Sequence, residues 1–202
     1  PTQNTENLFS SPLETVASYL NSLEGVEGFI YKNYTPTGTK DLQQPRMYFI
    51  DENGKKIDAI RLKIEDWKNE NLISENEYFI LLACLIETIG FYSNIAGVYA
   101  AFHKTWDFRA LRPLELRTIQ FVDNGKDNTV YNDDSMDLLD KINVDILYLD
   151  PPYNQHPYGS NYFMLNLILK NKIDSKVSEV SGIPEDWNRS DFNKKVKALS
   201  SM

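Results

Sequence analysis

Residues 130–153 read VYNDDSMDLLDKINVDILYLDPPY. Val130 and Tyr131 belong to a short β-prone segment, "TVYN" (129–132). "SMDLLDKI" (135–142) follows as a short helix opened by acidic residues, which suit the positive end of a helix. "VDILYL" (144–149) is a β-rich apolar run of the length expected for a parallel strand buried on both faces. Strand, helix and strand in succession imply a right-handed crossover in an α/β sheet. Just upstream, "RTIQFV" (117–122) reads as another strand and "DNGKDN" (123–128) as a turn. The fold class expected from this half of the chain is therefore α/β.

The last strand runs into Asp150, Pro151, Pro152 and Tyr153. Proline cannot donate to a sheet ladder, so Pro151 ends the strand and places Asp150 at its carboxyl end. Open α/β sheets bind their ligands there. Two consecutive prolines make a stiff corner whose carbonyls can only accept hydrogen bonds. Asp150 adds an ionised acceptor beside the Pro151 carbonyl, and two acceptors at one corner suit a substrate –NH₂. Tyr153 offers a flat face on which a planar ring stacks. An amino group conjugated to a heteroaromatic ring is a poor nucleophile because its lone pair is delocalised. Two acceptors holding both hydrogens favour a more tetrahedral nitrogen, able to attack an electrophilic methyl group without prior deprotonation. Catalysis of this kind rests on positioning and preorganised electrostatics. In duplex DNA the ring must first leave the base stack. The competing reading is a strand-ending turn with an exposed tyrosine.

"VYNDDSMDLLDKINVDILYLDPPY" and the following "NQHPYGSNY" resemble motif IV and its upstream segment in adenine-specific DNA methyltransferases, particularly the Dam-type class. "ENEYFILLACLIET…NIAGVYAAFHKTW…LRPLEL" is similar to a region that some members carry before these motifs. The resemblance spans most of residues 46–165, and its highly specific part is Asp150–Tyr153. It implies a Rossmann-like S-adenosylmethionine-dependent methyltransferase sheet, here partial, with an inserted, mainly helical region. It further implies S-adenosyl-L-methionine as methyl donor and the N6 amino group of a flipped-out adenine in double-stranded DNA as acceptor. Asp150, Pro151, Pro152 and Tyr153 take the catalytic positions. The Asp-Ser pair, Asp134 and Ser135, together with Asp150, takes the cofactor positions. Read without the resemblance, "NDDS" is a helix N-cap. The family's glycine-rich cofactor loop has no counterpart, since the nine glycines include no Gly-x-Gly. The expected organisation is an inserted, mainly helical region over 1–115, a candidate DNA-recognition part, and part of the catalytic domain over 116–202, in a fragment of a longer protein. Methylation of cytosine N4 and a truncated, non-catalytic chain that keeps only the base pocket remain as alternatives. An Asp rather than a Ser at the motif's start favours adenine in the family.

The amino-terminal half reads as helices and loops. In "SPLETVASYLNSL", Ser11 is a candidate N-cap, Pro12 would take the first helical position, and Glu14 follows three residues after Ser11. "GVEGFIYKNYTPTGT" mixes aromatics with turn residues and reads as loop or short strand. "MYFI" reads as a strand, followed by an Asn53-Gly54 turn and a helix from about Asp58 to Asn69. The segment from Ser74 to Trp106 reads as a long helix or a broken pair, capped by Ser74 and Glu77 and weakened at Gly90 and Gly97.

The chain's 202 residues carry 21 basic and 29 acidic side chains, a net charge of −8. That balance argues against a general nucleic-acid coat and leaves room for a DNA enzyme with local basic patches. One such patch is "HKTWDFRALRPLELR", where Lys104, Arg109, Arg112 and Arg117 face Asp107 and Glu115, with Trp106 and Phe108 interleaved. Lys104, Arg109 and Arg112 are DNA-contact candidates, the competing reading being a solvated helix end. Tyr158, Asn161 and Tyr162 directly follow the motif, in a segment placed to border the flipped base or the cofactor, and are taken as DNA-binding candidates. "RSDFNKKVK" near the carboxyl end reads as a solvated helix face, and His156 as a bystander, since the mechanism uses no titrating base. His103 and His156 stand apart without a Cys cluster, so no metal site is expected. The single cysteine, Cys84, lies in an apolar run, and a reducing cytoplasm is the expected setting. No apolar stretch is long enough to span a membrane. Expected partners are double-stranded DNA and a possible restriction endonuclease of the same system, and oligomeric state is open.

Overall fold

The computed structural model describes residues 12–122, 124–151, 157–187, 189–190 and 193. Seven α-helices occur among them: α1 (Pro12–Ser22), α2 (Phe29–Tyr34), α3 (Asp51–Asn69), α4 (Glu75–Ile89), α5 (Ser135–Leu139), α6 (Tyr158–Asn161) and α7 (Phe163–Lys170). Helices α1 to α4 and α7 share one apolar core. It is built from Leu20, Ile30, Tyr34, Tyr48, Phe49, Ile57, Ile60, Ile64, Leu85, Ile89, Phe163 and Met164, with Cys84 buried among them.

Helix α4 starts as its sequence dictates. Ser74 accepts from the Glu77 N–H while the Glu77 carboxylate accepts from the Ser74 N–H, a complete capping box. It ends at Ile89, a 3₁₀ turn (Gly90–Tyr92) follows, and Ser93 Oγ donates to the Ile89 carbonyl. The chain beyond Ser93 is irregular, with one isolated bridge between Ile95 and Phe102, so neither the expected long helix nor a helix pair forms: α4 ends at Ile89 and no second α-helix follows before Trp106. Pro12 opens α1 as expected, while its candidate cap, Ser11, lies outside the described residues.

Three expectations for the amino-terminal half are overturned. The segment read as loop or strand contains helix α2, whose cap comes from far along the chain. Gly28 at its N-cap offers no side chain, and buried Asp58 on α3 instead accepts from the N–H groups of Ile30 and Tyr31, both at 2.8 Å. The expected Asn53-Gly54 turn lies inside α3, which begins at Asp51. Both turn-prone residues do tertiary work there. Asn53 bonds the 110–114 loop, and Gly54 lets α2 approach closely, since a Cβ would overlap Thr35 Cγ2. The "MYFI" segment likewise forms no strand. Tyr48 and Phe49 are core residues, with the Asn94 N–H donating to the Tyr48 carbonyl.

Helix α7 closes the core from the carboxyl side. Arg61 on α3 donates Nε to the Ile168 carbonyl (3.0 Å) and Nη2 to the Leu169 carbonyl (2.8 Å). Those carbonyls belong to the last turn of α7, where a cation meets the negative end of the helix dipole. Asn171 then ends the helix in the left-handed conformation. A second buried arginine, Arg46, binds the carbonyls of Asn33, Ser178, Glu179 and Val180, drawing residues 178–182 against Tyr34 and Tyr48. Gly182 has φ +69°, and a Cβ there would lie 2.8 Å from Tyr34 and Arg46.

No strand forms among the described residues, so the sheet expected over 117–150 is not observed. The cause is visible in the side chains. Ile146 and Tyr148 are 87% and 85% exposed on one face of the 144–149 run, and Leu149 is 63% exposed on the other. A strand apolar on both faces needs neighbouring strands for its backbone and cover for its side chains. Neither is present among the described residues. Helix α5 is there, shorter than expected, with Asp134 as its N-cap.

Candidate functional site

Asp150 is exposed and Pro151 half-buried at the end of the apolar 144–149 segment. Pro152, Tyr153 and His156 lie outside the described residues. Pro157 is the N-cap of α6. Tyr158 and Tyr162 stack with ring centroids 6.0 Å apart and an interplanar angle of 23°, both with exposed surface. The Asn161 carbonyl accepts from the Tyr99 N–H at 2.7 Å. Tyr99 is itself buried, with its hydroxyl on Ser93 and its carbonyl accepting from Tyr48, and burial pushes its phenol up to about 12. The segment leaving the motif is thus pinned to the helical core at the loop that follows α4.

That loop carries the basic candidates, and three buried or half-buried asparagines shape it. Asn94 is fully buried. Its Nδ2 donates to the Met47 and His103 carbonyls (both 3.0 Å), and its Oδ1 accepts from the Asp107 N–H (2.9 Å). Asn53 donates to the Arg112 carbonyl (2.9 Å) and accepts from the Leu114 N–H (2.8 Å). Asn21 holds Leu116 through both its N–H and its carbonyl. Buried amides satisfied this way fix irregular backbone as firmly as a ladder fixes a strand. The expected alternative of a solvated helix end does not occur, because residues 103–116 are irregular and held from within.

Arg109 projects from this loop. Its Nε and Nη2 meet the two carboxylate oxygens of Asp107 at 3.2 and 3.0 Å, and its own N–H donates to the same carboxylate. The pairing holds the Asp107 carboxyl below the usual aspartate range. Arg112 lies over the Phe108 ring at 5.3 Å, and Arg117 over Phe91 at 5.2 Å. Lys104 is exposed. Arg109 and Tyr162 line one cavity of about 270 Å³ together with Glu87, Gly97 and Tyr99. The fold therefore brings a candidate from the loop and one from the post-motif helix to the same cleft.

Asp134 and Ser135 are exposed at the start of α5, where Asp134 Oδ1 accepts from the Met136 N–H at 2.9 Å. The N-cap role is therefore filled by Oδ1, and no hydrogen bond among the described residues engages the second oxygen, Oδ2. No hydrogen bond or ion pair among the described residues joins Asp134 to Asp150, and neither lines the Arg109–Tyr162 cavity. A larger cavity of about 420 Å³ lies between Leu13, Trp67, Ile73, Ile80 and Phe121, with an almost wholly apolar lining that offers no chemistry.

The profile of the D12 class N6 adenine-specific DNA methyltransferases matches residues 3–201. The chain belongs to this family. It is 40% identical to the modification methylase StsI of Streptococcus sanguinis over 96% of its own length and 29% of that protein's. It is 49% identical to the type II methyltransferase M.FokI of Planomicrobium okeanokoites, over 70% of this chain and 21% of the relative. It is 46% identical to M.NlaIII of Neisseria lactamica, over 74% of this chain and 43% of the relative. The chain thus spans less than half the length of each of these methyltransferases. No solved structure matches it. Membership of the D12 class implies a methyltransferase fold.

Sequence reasoning missed Asn53, Asn94 and Asp107. Asn94 carried one signal, an amide directly after an apolar helix, but a turn explains such an amide equally well. Asn53 carried a misleading one, since Asn-Gly favours hairpin turns.

Proposed function

We propose that the protein carrying this chain methylates the N6 amino group of adenine in double-stranded DNA. The observation that carries the proposal is the match to the D12 class over nearly the whole chain, with Asp150 exposed at the end of its apolar run. On this reading Asp150 and the Pro151 carbonyl accept the two amino hydrogens and localise the nitrogen lone pair, so no titrating base is needed before attack; the N–C bond forms as the donor's C–S bond breaks, and the methylated nitrogen then sheds one hydrogen as a proton to solvent. Tyr153 stacks on the extruded base, as Pro152 keeps the corner stiff. Bound S-adenosylmethionine supplies an electrophilic methyl group. The donor set here fits one end of it. Asp134 retains a carboxylate oxygen, and with Ser135 it suits amino or hydroxyl groups of an adenosine. The methionine end has no glycine-rich loop in this sequence, so no step is assigned to residues there.

The finer organisation follows the same reading. Residues 1–115 form the helical, DNA-facing part, and 116–202 contribute to the catalytic sheet. Lys104, Arg112, Tyr158, Asn161 and Tyr162 lie along the DNA path, supported by the shared Arg109–Tyr162 cleft. Relatives named as modification methylases support a cognate endonuclease as partner. Transfer of isotopically labelled methyl groups to duplex DNA tests the reading, using the full-length protein and its Asp150→Ala variant. Loss of the amino-group acceptor is expected to lower the turnover rate at least about a hundredfold while leaving DNA affinity within a few-fold. Equal turnover in the two proteins would refute it.

A further inference from the structure

We infer that Arg109 is a specificity-determining residue that reads a guanine in the DNA, and that Asp107 is its positioning residue. The inference rests on the DNA-methyltransferase reading above and goes beyond it in assigning one base to one side chain.

The geometry of the pair carries the argument. Asp107 takes Nε and one hydrogen of Nη2, at 3.2 and 3.0 Å, and also the Arg109 backbone N–H at 2.9 Å. What remains is the outer edge of the guanidinium, with one hydrogen on each Nη pointing the same way. Two parallel donors match two adjacent acceptors. In the major groove only guanine offers that pair, O6 and N7. Adenine offers an acceptor beside a donor, thymine a single carbonyl, and cytosine a donor.

Charge separates this reading from a phosphate contact. Phosphate is attracted chiefly by net positive charge, and the Arg109–Asp107 pair has none. A carboxylate at the guanidinium also repels an approaching phosphate, while it leaves the donors available for neutral base edges. Arg112 and Arg117 differ in this respect. They rest on the Phe108 and Phe91 rings, which leave their charge intact for the backbone.

Rigidity supplies the third element. Base reading requires a donor edge held in place, and the loop bearing Arg109 is fixed on either side. Asn94 holds the Asp107 N–H at 2.9 Å, and Asn53 holds the Arg112 carbonyl at 2.9 Å and the Leu114 N–H at 2.8 Å. Its side chain is 49% exposed, so the free edge reaches solvent beside the cleft shared with Tyr162.

The test selects duplexes bound by the full-length protein from a library randomised around an adenine, then measures competition affinities for the selected sequence and its single-base variants. The wild-type protein should reject every non-guanine base at one position by about ten- to a hundredfold, the discrimination of one bidentate contact. Arg109→Ala should accept all four bases at that position and keep its other preferences. Arg109→Lys should fail to restore the discrimination, because a point charge cannot make the paired contact. Asp107→Asn should weaken the same preference alone. Replacing that guanine by 7-deazaguanine should cost the wild type affinity and cost Arg109→Ala nothing. If Arg109→Ala weakens binding to all sequences alike and lowers the salt dependence by about one phosphate contact, the residue touches backbone and the inference is overturned. If the variant keeps every preference of the wild type, it is overturned as well. A wild-type protein that binds no duplex in preference to another would instead sink the DNA-methyltransferase reading, and this inference with it.

Discussion

Asp58 shows how one buried side chain decides a local structure that its neighbours in sequence do not announce. It is fully buried, caps α2 across the core, and has its carboxyl pushed up to about 6 by burial, against the pull of the N–H groups it accepts from. The folded value lies above the ordinary aspartate range near ~4, so the folded chain keeps a proton that the unfolded chain releases first. Stability from this group is therefore complete below about pH 4 and falls as the pH rises through about 6. Urea unfolding should show a midpoint that drops across this window, and Asp58→Asn should flatten the drop; an unchanged slope would contradict the assignment. Asn94 presents the same logic without a charge. Asn94→Ala leaves a buried N–H and two carbonyls without partners, at a cost of about 2–4 kcal/mol. The same substitution should loosen the 103–107 backbone, seen as faster amide exchange at His103 and Asp107. These residues were illegible in the sequence for one reason. Each acts on backbone many positions away, and local pattern carries no trace of that.

At the scale of elements, what was legible is what is locally determined. The α4 capping box, the proline that opens α1 and the break near Gly90 follow from neighbours within a few residues. Helix α2 and the start of α3 did not, because Asp58 supplies the cap of one and Thr35 packs on Gly54 of the other. The Asn53-Gly54 pair obeys tertiary contacts over its turn preference. Gly54→Val should therefore destabilise in spite of a helix-propensity gain of about 0.5 kcal/mol, because the clash with Thr35 outweighs it. A thermal midpoint raised by this substitution would show that α2 and α3 do not pack this closely. Arg61 ties α3 to the last turn of α7 through two carbonyls. Arg61→Met keeps much of the volume and removes both bonds, for an expected loss of about 2–3 kcal/mol. Amide exchange should rise first in α7, whereas a uniform rise through all helices would argue against a local tie.

For the whole molecule, the strands expected from period and composition do not pair among the described residues. Val122, Val130, Ile146 and Tyr148 are each more than 80% exposed. Their pattern is that of a sheet interior, and a sheet is a property of several strands together, which one strand's sequence cannot supply. The candidate site is legible to the same degree. The family was readable, and is given by the match over residues 3–201; the Asp-Pro-Pro-Tyr motif and the basic loop were readable as candidates. The meeting of Arg109 with Tyr162 was not readable, since it depends on how the loop after α4 returns to α6. The chemistry itself is tested most directly by identifying the methylated nucleoside. Duplex DNA lacking modification would be incubated with the full-length protein and S-adenosylmethionine, digested, and its nucleosides separated by mass. N6-methyl-2′-deoxyadenosine that disappears with Asp150→Ala is the predicted result; N4-methyl-2′-deoxycytidine, or N6-methyl-2′-deoxyadenosine undiminished in the variant, would contradict it.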